Sequence, residues 1–157
     1  MLKPVTSTAS TTQAQQATVG AVVAAFLEQC GVQAAFGVIS IHNMPILDAF
    51  AQRGRTRFVM ARGEAGAGNM ADAYARSTAS LGVCLTSTGP AAGNIAGSMV
   101  EALTAGAPVL HITGQIETPY IDKGMSYIHG HRTSSQCSRP SRRRPFACGA
   151  SRTCSAR

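Results

Sequence analysis

Tryptophan is absent from these 157 residues and aromatic side chains make up only 5% of them, so any core must be built mainly from Ala, Val, Ile, Leu and Met. Small side chains of this kind suit helices packed tightly on a sheet. No stretch approaches the roughly 18 consecutive apolar residues of a membrane-spanning helix. The opening "MLKPVTSTASTTQAQQ" has no apolar run either and reads as a disordered leader over residues 1–17. The five cysteines contain no C-x-x-C pair, and an odd number at these spacings indicates neither a zinc site nor a disulfide framework. Cys30 and Cys84 read as reduced structural thiols, and the chain as cytoplasmic. Acidic residues are scarce too, seven against fourteen basic ones, for a net charge of +7. The excess is confined to one place: residues 1–130 balance seven Lys and Arg against seven acids, whereas 131–157 carry seven Arg and no acid. A basic face attracts phosphates, but this charge belongs to a tail and not to the body, so nucleic acid is not the expected partner.

What the body does contain is an ordered alternation. Thr18 is placed to cap a helix whose apolar positions Val19, Val22, Val23, Phe26 and Leu27 share a face, and Gly31 stops it. A strand follows in "QAAFGV", then the loop "ISIHNMP" ending at Pro45, then a helix in "ILDAFAQ". "RFVM" reads as a second strand, "ARGEAGAGNMADAYAR" supplies a third helix to about Ser77, and "GVCLTS" is a third strand. The loop "TGPAAGN" leads into a helix expected from about Ile95 to Ala105, and "APVLHITG" closes the series as a buried strand. Near-continuous apolar strands separated by helices imply an α/β fold, a parallel sheet with helices on both faces. Ligands in such sheets sit at the carboxyl ends of the strands. The loops of interest are therefore "ISIHNMP", "ARGE", "TSTGPAAGN" and "GQIETPYIDKG".

Within the third helix segment, Gly66-Ala-Gly68-Asn-Met-Ala71 fits the G-x-G-x-x-A pattern of a nucleotide-binding turn. Three features oppose that reading. The pattern follows the second strand and not the first, no acid lies between Asp72 and Glu101 to hold a ribose, and Glu64 would set a negative charge beside a phosphate. Glu64 can be read in two ways: as a first-turn acid complementing the helix dipole, or as a group that does chemistry. His42 and His129 are isolated, and isolated histidines read as loop or structural residues.

Taken together, "FGVISIHNMPILDAF", "RFVMARGEAGAGNMADAYAR", "GVCLTSTGPAAGNIAGSMVEALTAGAPVLHITGQIE" and "YIDKGMSYIH" resemble, in order and spacing, the N-terminal, pyrimidine-binding domain of thiamine-diphosphate enzymes, specifically the acetolactate synthase and pyruvate oxidase group. The resemblance covers about Thr18 to His129 and implies the thiamine-diphosphate-binding fold for that stretch. It implies that Glu64 hydrogen-bonds the pyrimidine N1′ of thiamine diphosphate and favours an imino tautomer whose N4′ removes the thiazolium proton, so that the cofactor can attack a 2-keto acid. The side-chain-poor "AGAG" would strip water from the carboxylate and let a flat ring approach. By the same resemblance Pro90 and Asn94 lie near the pyrimidine, Gln115 edges the cleft, and His129 stands where the family often has a cofactor-proximal glutamine. Pro90, Asn94 and Gln115 can equally be a loop proline, a helix N-cap and a loop polar residue. "ISIHN" departs from the family's usual Pro-Gly-Gly turn, which bears on Ile39 and Ser40, the residues that would contact cofactor there.

In that family Mg²⁺ anchors the diphosphate through a Gly-Asp-Gly motif in a separate domain, and the two domains meet across a dimer interface. No "GDG" occurs here. The resemblance therefore implies half a site, a homodimer or homo-oligomer, a missing diphosphate-binding partner domain, and inactivity alone; FAD is left open. After "YIH" the resemblance stops abruptly at the Arg-, Ser- and Cys-rich residues 130–157. Restoring one base in the Gly130 codon allows that tail to be reread as "EAPDQLAMLAAVSKAAFRVRSVENVLGT", which has helical periodicity, so a frameshifted, truncated product is one expectation for it. The other readings weighed are a nucleotide-binding α/β module and a nucleic-acid-associated protein using the arginine tail.

Overall fold

The computed structural model describes residues 18–121 and Lys123; the leader, His129 and the basic tail lie outside the described residues. Helix α1 (Val19–Gln29) starts where its cap directs: the Thr18 side chain accepts a hydrogen bond from the Ala21 N–H at 3.2 Å. Gly31, at φ 80°, turns the chain into strand β1 (Ala34–Gly37). Helix α2 (Met44–Arg53) begins two residues earlier than the sequence suggested, because Pro45 sits in its first turn, where a missing N–H costs nothing. Strand β2 (Arg57–Met60), helix α3 (Glu64–Thr78) and strand β3 (Gly82–Thr86) follow. The helix expected from Ile95 to Ala105 is α5 (Ala96–Thr104), and a short helix α4 (Pro90–Asn94) occupies the segment expected to be the loop "TGPAAGN", separated from α5 at Ile95. Strand β4 (Val109–Thr113) and a 3₁₀ turn (Thr118–Tyr120) end the described chain.

All three strand pairings are parallel, and the order is β2-β1-β3-β4. The chain leaves β1 toward one edge to make β2, then returns to lay β3 on the other flank of β1. The order therefore reverses between β1 and β3, and the crevice outside their carboxyl ends is where ligands bind in such sheets.

Side chains alternate across the central strands and so divide the core. Ala35, Val83 and Leu85 pack with Leu27 of α1 and Phe50 of α2 on one face. Phe36 and Cys84 pack with Ala67 and Ala71 of α3 and with Ile95 on the other. Helices thus cover both faces, as the apolar strand pattern required. On the second face the spacing is set by missing side chains. A Cβ added at Gly82 would collide with the Ala71 carbonyl, and one at Gly68 would stand 2.6 Å from the Ser98 Cβ. Ser98 returns a hydrogen bond from its hydroxyl to the Ala65 carbonyl at 2.7 Å, which locks α5 on the first turn of α3.

Candidate functional site

Glu64 is the first residue of α3, and Gly63 precedes it in extended conformation as the N-cap. Because α3 packs on β3 and β1, this helix start reaches over the centre of the sheet although β2, which feeds it, is an edge strand. The residue is half-buried as a whole, and its carboxylate bond to Asn94 is exposed. Asn94 Nδ2 donates to Glu64 Oε2 at 3.3 Å, across thirty residues of sequence. Asn94 is therefore not the helix N-cap that its residue type suggested; it ends α4 and turns its amide onto the glutamate. Oε1 of Glu64 has no hydrogen-bond partner among the described residues. Behind the carboxylate lies Cys84, fully buried, whose thiol is pushed up to about 12, first by burial and then by the negative charge of Glu64.

The two glycines of the G-x-G pattern have different roles, and neither is a phosphate turn. Both lie inside α3 and not in the loop before it. Gly68 is there because Ser98 and Ile95 press against it. A Cβ at Gly66 would meet nothing within 4 Å, and the same holds at Gly63 beside Glu64 and Gly93 beside Asn94. The surface around the paired carboxylate and amide is thus bare of side chains.

The neighbouring loops are held by their own polar groups. Asn43, 2% exposed, donates from Nδ2 to the Val38 carbonyl and accepts from the Ser40 N–H, fixing the turn after β1. Ser40 accepts from the His42 N–H at 3.2 Å, and Ile39 projects outward, about half exposed. Pro90 opens α4 after Gly89, whose φ of 62° a glycine adopts without strain. Thr88, 2% exposed in this same turn, has a hydroxyl with no hydrogen-bond partner, an arrangement that costs about 1–3 kcal/mol when nothing fills it. Gln115, beyond β4, is exposed and accepts from the N–H of Ile116 through its own side chain. His129 lies outside the described residues.

Two features were not read from the sequence. His42 Nδ1 lies 3.3 Å from Ser87 Oγ, joining the loops after β1 and β3. His111 Nε2 lies 2.7 Å from the Thr86 hydroxyl inside the second face, where burial holds its pKa below the usual histidine range. The only advance signal for the first was a histidine in a loop at a carboxyl strand end, and nothing local named its partner 45 residues away.

Four loops therefore lie at the carboxyl edge, and the chemistry they offer is a carboxylate with one oxygen bonded to Asn94 and the other without a partner among the described residues, near a protonated thiol and beside bare backbone. That arrangement can accept a hydrogen bond from a planar nitrogen heterocycle. The family model described as the thiamine pyrophosphate enzyme N-terminal TPP binding domain matches residues 17–136, and the chain belongs to that family. Similar proteins include an acetolactate synthase of Arthrospira platensis, 42% identical over 93 residues, a match covering 57% of this chain and 16% of that protein. The acetolactate synthase isozyme 2 large subunit of Escherichia coli is 38% identical over 91 residues, 58% of this chain and 16% of that one. A Pseudomonas aeruginosa protein named "probable 2-ketoarginine decarboxylase" is 33% identical over 112 residues, 71% of this chain and 20% of its own length. The chain thus spans a sixth to a fifth of the length of these relatives. Its described part is a thiamine-diphosphate-type α/β domain of the acetolactate-synthase-like kind, and among the described residues no helix is long and apolar enough to cross a membrane.

Proposed function

We propose that this chain is the pyrimidine-recognising half of a thiamine diphosphate site, its domain running over residues 18–129, in an acetolactate-synthase-like enzyme that decarboxylates a 2-keto acid and ligates the product to another carbonyl. The observation that carries this reading is the Asn94-anchored carboxylate of Glu64 with its free Oε1. The residues present suit the group: a planar pyrimidine needs a bare wall, supplied by Gly63, Gly66 and Gly93, and the orphaned Thr88 hydroxyl is a polar atom without a protein partner in the same loop cluster.

Thiamine diphosphate, when bound, supplies an acidic thiazolium carbon able to add to a keto carbonyl. Glu64 would share a proton with the pyrimidine N1′ through its carboxyl group, while Asn94 would hold Oε2 in place. Pro90 shapes the wall, Ile39 and Ser40 border the ring from the β1 side, and Gln115 and His129 edge the cleft. Mg²⁺ would take its ligands, with the diphosphate, from another domain. The exposed apolar rim of this edge, with Ile41 at 77% and Met60 at 67%, favours cover by such a domain, and a homodimer provides it.

Calorimetric titration of the full chain with thiamine diphosphate and Mg²⁺ tests the reading. Binding is expected only when a diphosphate-binding domain is supplied with the chain, and Glu64→Gln is then expected to weaken it by about 10- to 100-fold, the range of a hydrogen bond to a charged group. Equal binding by both chains would remove Glu64 from the site.

A further inference from the structure

The two edges of the sheet are finished differently. β2 is guarded: Arg57 lies within it and Arg55 and Arg62 flank it, all three exposed. Charged side chains of this kind keep an open strand edge from pairing with another chain. β4 is one residue longer, stands in a stretch with no Lys, Arg, Asp or Glu between Glu101 and Glu117, and carries an exposed Leu110. Among the described residues it has β3 on one side and no strand on the other.

The backbone groups left over on β4 follow from its pairing. The Gly82 N–H donates to the Pro108 carbonyl, and in a parallel pair every second residue faces the neighbouring strand, so residues 108, 110 and 112 are turned toward β3. Val109, His111 and Thr113 therefore turn their N–H and C=O groups outward. Apolar side chains flank this edge on both faces of the sheet. On the first face α2 holds one flank of α1, since Arg53 reaches Glu28 and a Cβ at Gly20 would strike the Pro45 carbonyl. Val19 and Phe26, both exposed, project from the other flank, and because α2 packs on β2 that flank is the one toward β4. On the second face Ser98 bonds the Ala65 carbonyl of α3 and Glu101 acts on Arg76 of α3. Val100 and Leu103 point away from α3, Leu103 76% exposed.

An occupant of this edge has to bring a strand with outward groups at the same spacing, apolar flanks on both faces, and no charge. A second copy of β4 brings all three. Set antiparallel about a two-fold axis at His111, every outward residue becomes half of a mutually bonded pair, Val109 with the second copy's Thr113 and His111 with its own counterpart. Leu110 then meets the second copy's Ile112 on the first face, an apolar cross-strand pair. A strand edge alone is small beside the roughly 800 Å² that each partner of a stable dimer buries. The two helix flanks are what widen it.

We propose that this chain self-associates through β4, two copies joining their sheets edge to edge with α1 against α1 and α5 against α5. The contact lies at the side of the sheet and leaves its carboxyl edge open. It is separate from the cover of the carboxyl rim described above and does not rest on the thiamine reading.

Sedimentation velocity of the full chain tests this. A species of twice the 16.2 kDa chain is expected at micromolar concentration and should dissociate on dilution. Leu103→Lys and Leu110→Lys are each expected to weaken it about tenfold or more, whereas Arg57→Ala, on the guarded edge, leaves it unchanged. Leu103 is mostly exposed within one chain, so its variant decides the matter where Leu110→Lys unfolds. Amide exchange at Val109, His111 and Thr113 should be slow in the dimer and fast in the diluted monomer. A chain that stays monomeric, a dimer indifferent to Leu103→Lys, or amides that remain slow in the monomer, as they would with the edge covered by a segment of the same chain, each overturns the proposal.

Discussion

The two faces of the sheet differ in how closely their helices approach it. Under α1 and α2 the core is made of large side chains, with Leu27, Phe50, Val83 and Leu85 fully buried. Under α3 and α5 Phe36 and Ile95 are buried too, but they pack with Ala67, Ala71, Cys84 and glycines whose missing Cβ atoms set the distance between backbones. Large side chains contribute burial energy at roughly 25 cal/mol per Å² of apolar surface, so the first face supplies stability. The second face gives up that area for close approach, and Glu64, Asn94 and Ser98 all stand on it. One side of the sheet holds the domain together, and the other brings helix starts close enough to share a ligand.

That contrast can be broken in several ways. The largest expected effect is on the first face: Phe50→Ala should cost about 3–5 kcal/mol in urea unfolding, because the emptied space cannot collapse between α1 and α2. Next is Gly68→Val on the second face. Its first side-chain atom would meet Ser98 and Ile95 at 2.6 and 2.9 Å, and pushing α5 away should cost about 1–3 kcal/mol.

The second face also carries both groups whose protonation is controlled by burial. His111 is held neutral, its pKa lowered from 6.5, so an unfolded chain binds the proton more readily. Stability is then full above pH 6.5 and falls as pH drops through the folded-state value. Cys84 keeps its proton to about 12 against an unfolded value of 9.0, so stability falls as pH rises from 9.0 toward 12. Urea midpoints measured against pH should show both slopes, with His111→Gln flattening the acid one and Cys84→Ala the alkaline one. The smallest effect has the opposite sign. Gly66→Ala, two residues before Gly68 in the same helix, faces open space and should stabilise by about 0.5–1 kcal/mol in the same unfolding assay.

Much of this architecture was legible because it is local. The Thr18 cap, the Gly31 stop, the four residues of β2 and the start of α3 near Glu64 each depend on a few neighbouring residues. The short helix α4 was not legible, since "TGPAAGN" with its proline and glycines reads as a loop; Ile95, which ends it, buries its side chain under α3. Nor was the left-handed end of α3, which falls on Ala79 at φ 51° with no glycine to mark it. The strand order and the pairings of His42 with Ser87 and Glu64 with Asn94 join residues 30 to 45 apart, beyond what periodicity records. The family resemblance pointed to Glu64 and Asn94, but only the fold shows that one holds the other. It also separates the two glycines of the G-x-G pattern: Gly68 is a packing requirement and Gly66 is open surface.

The central claim concerns one oxygen atom, the free Oε1 of Glu64. Carbon-13 labelling of the glutamate carboxyls gives four resonances, from Glu28, Glu64, Glu101 and Glu117, assigned through single Gln variants of the full chain. On addition of thiamine diphosphate and Mg²⁺ in the presence of a diphosphate-binding domain, the Glu64 resonance is expected to shift saturably with the calorimetric binding curve while that of Glu28, which is paired with Arg53 across α1 and α2, stays in place. Thiamine diphosphate that binds without moving the Glu64 carboxyl would contradict the claim.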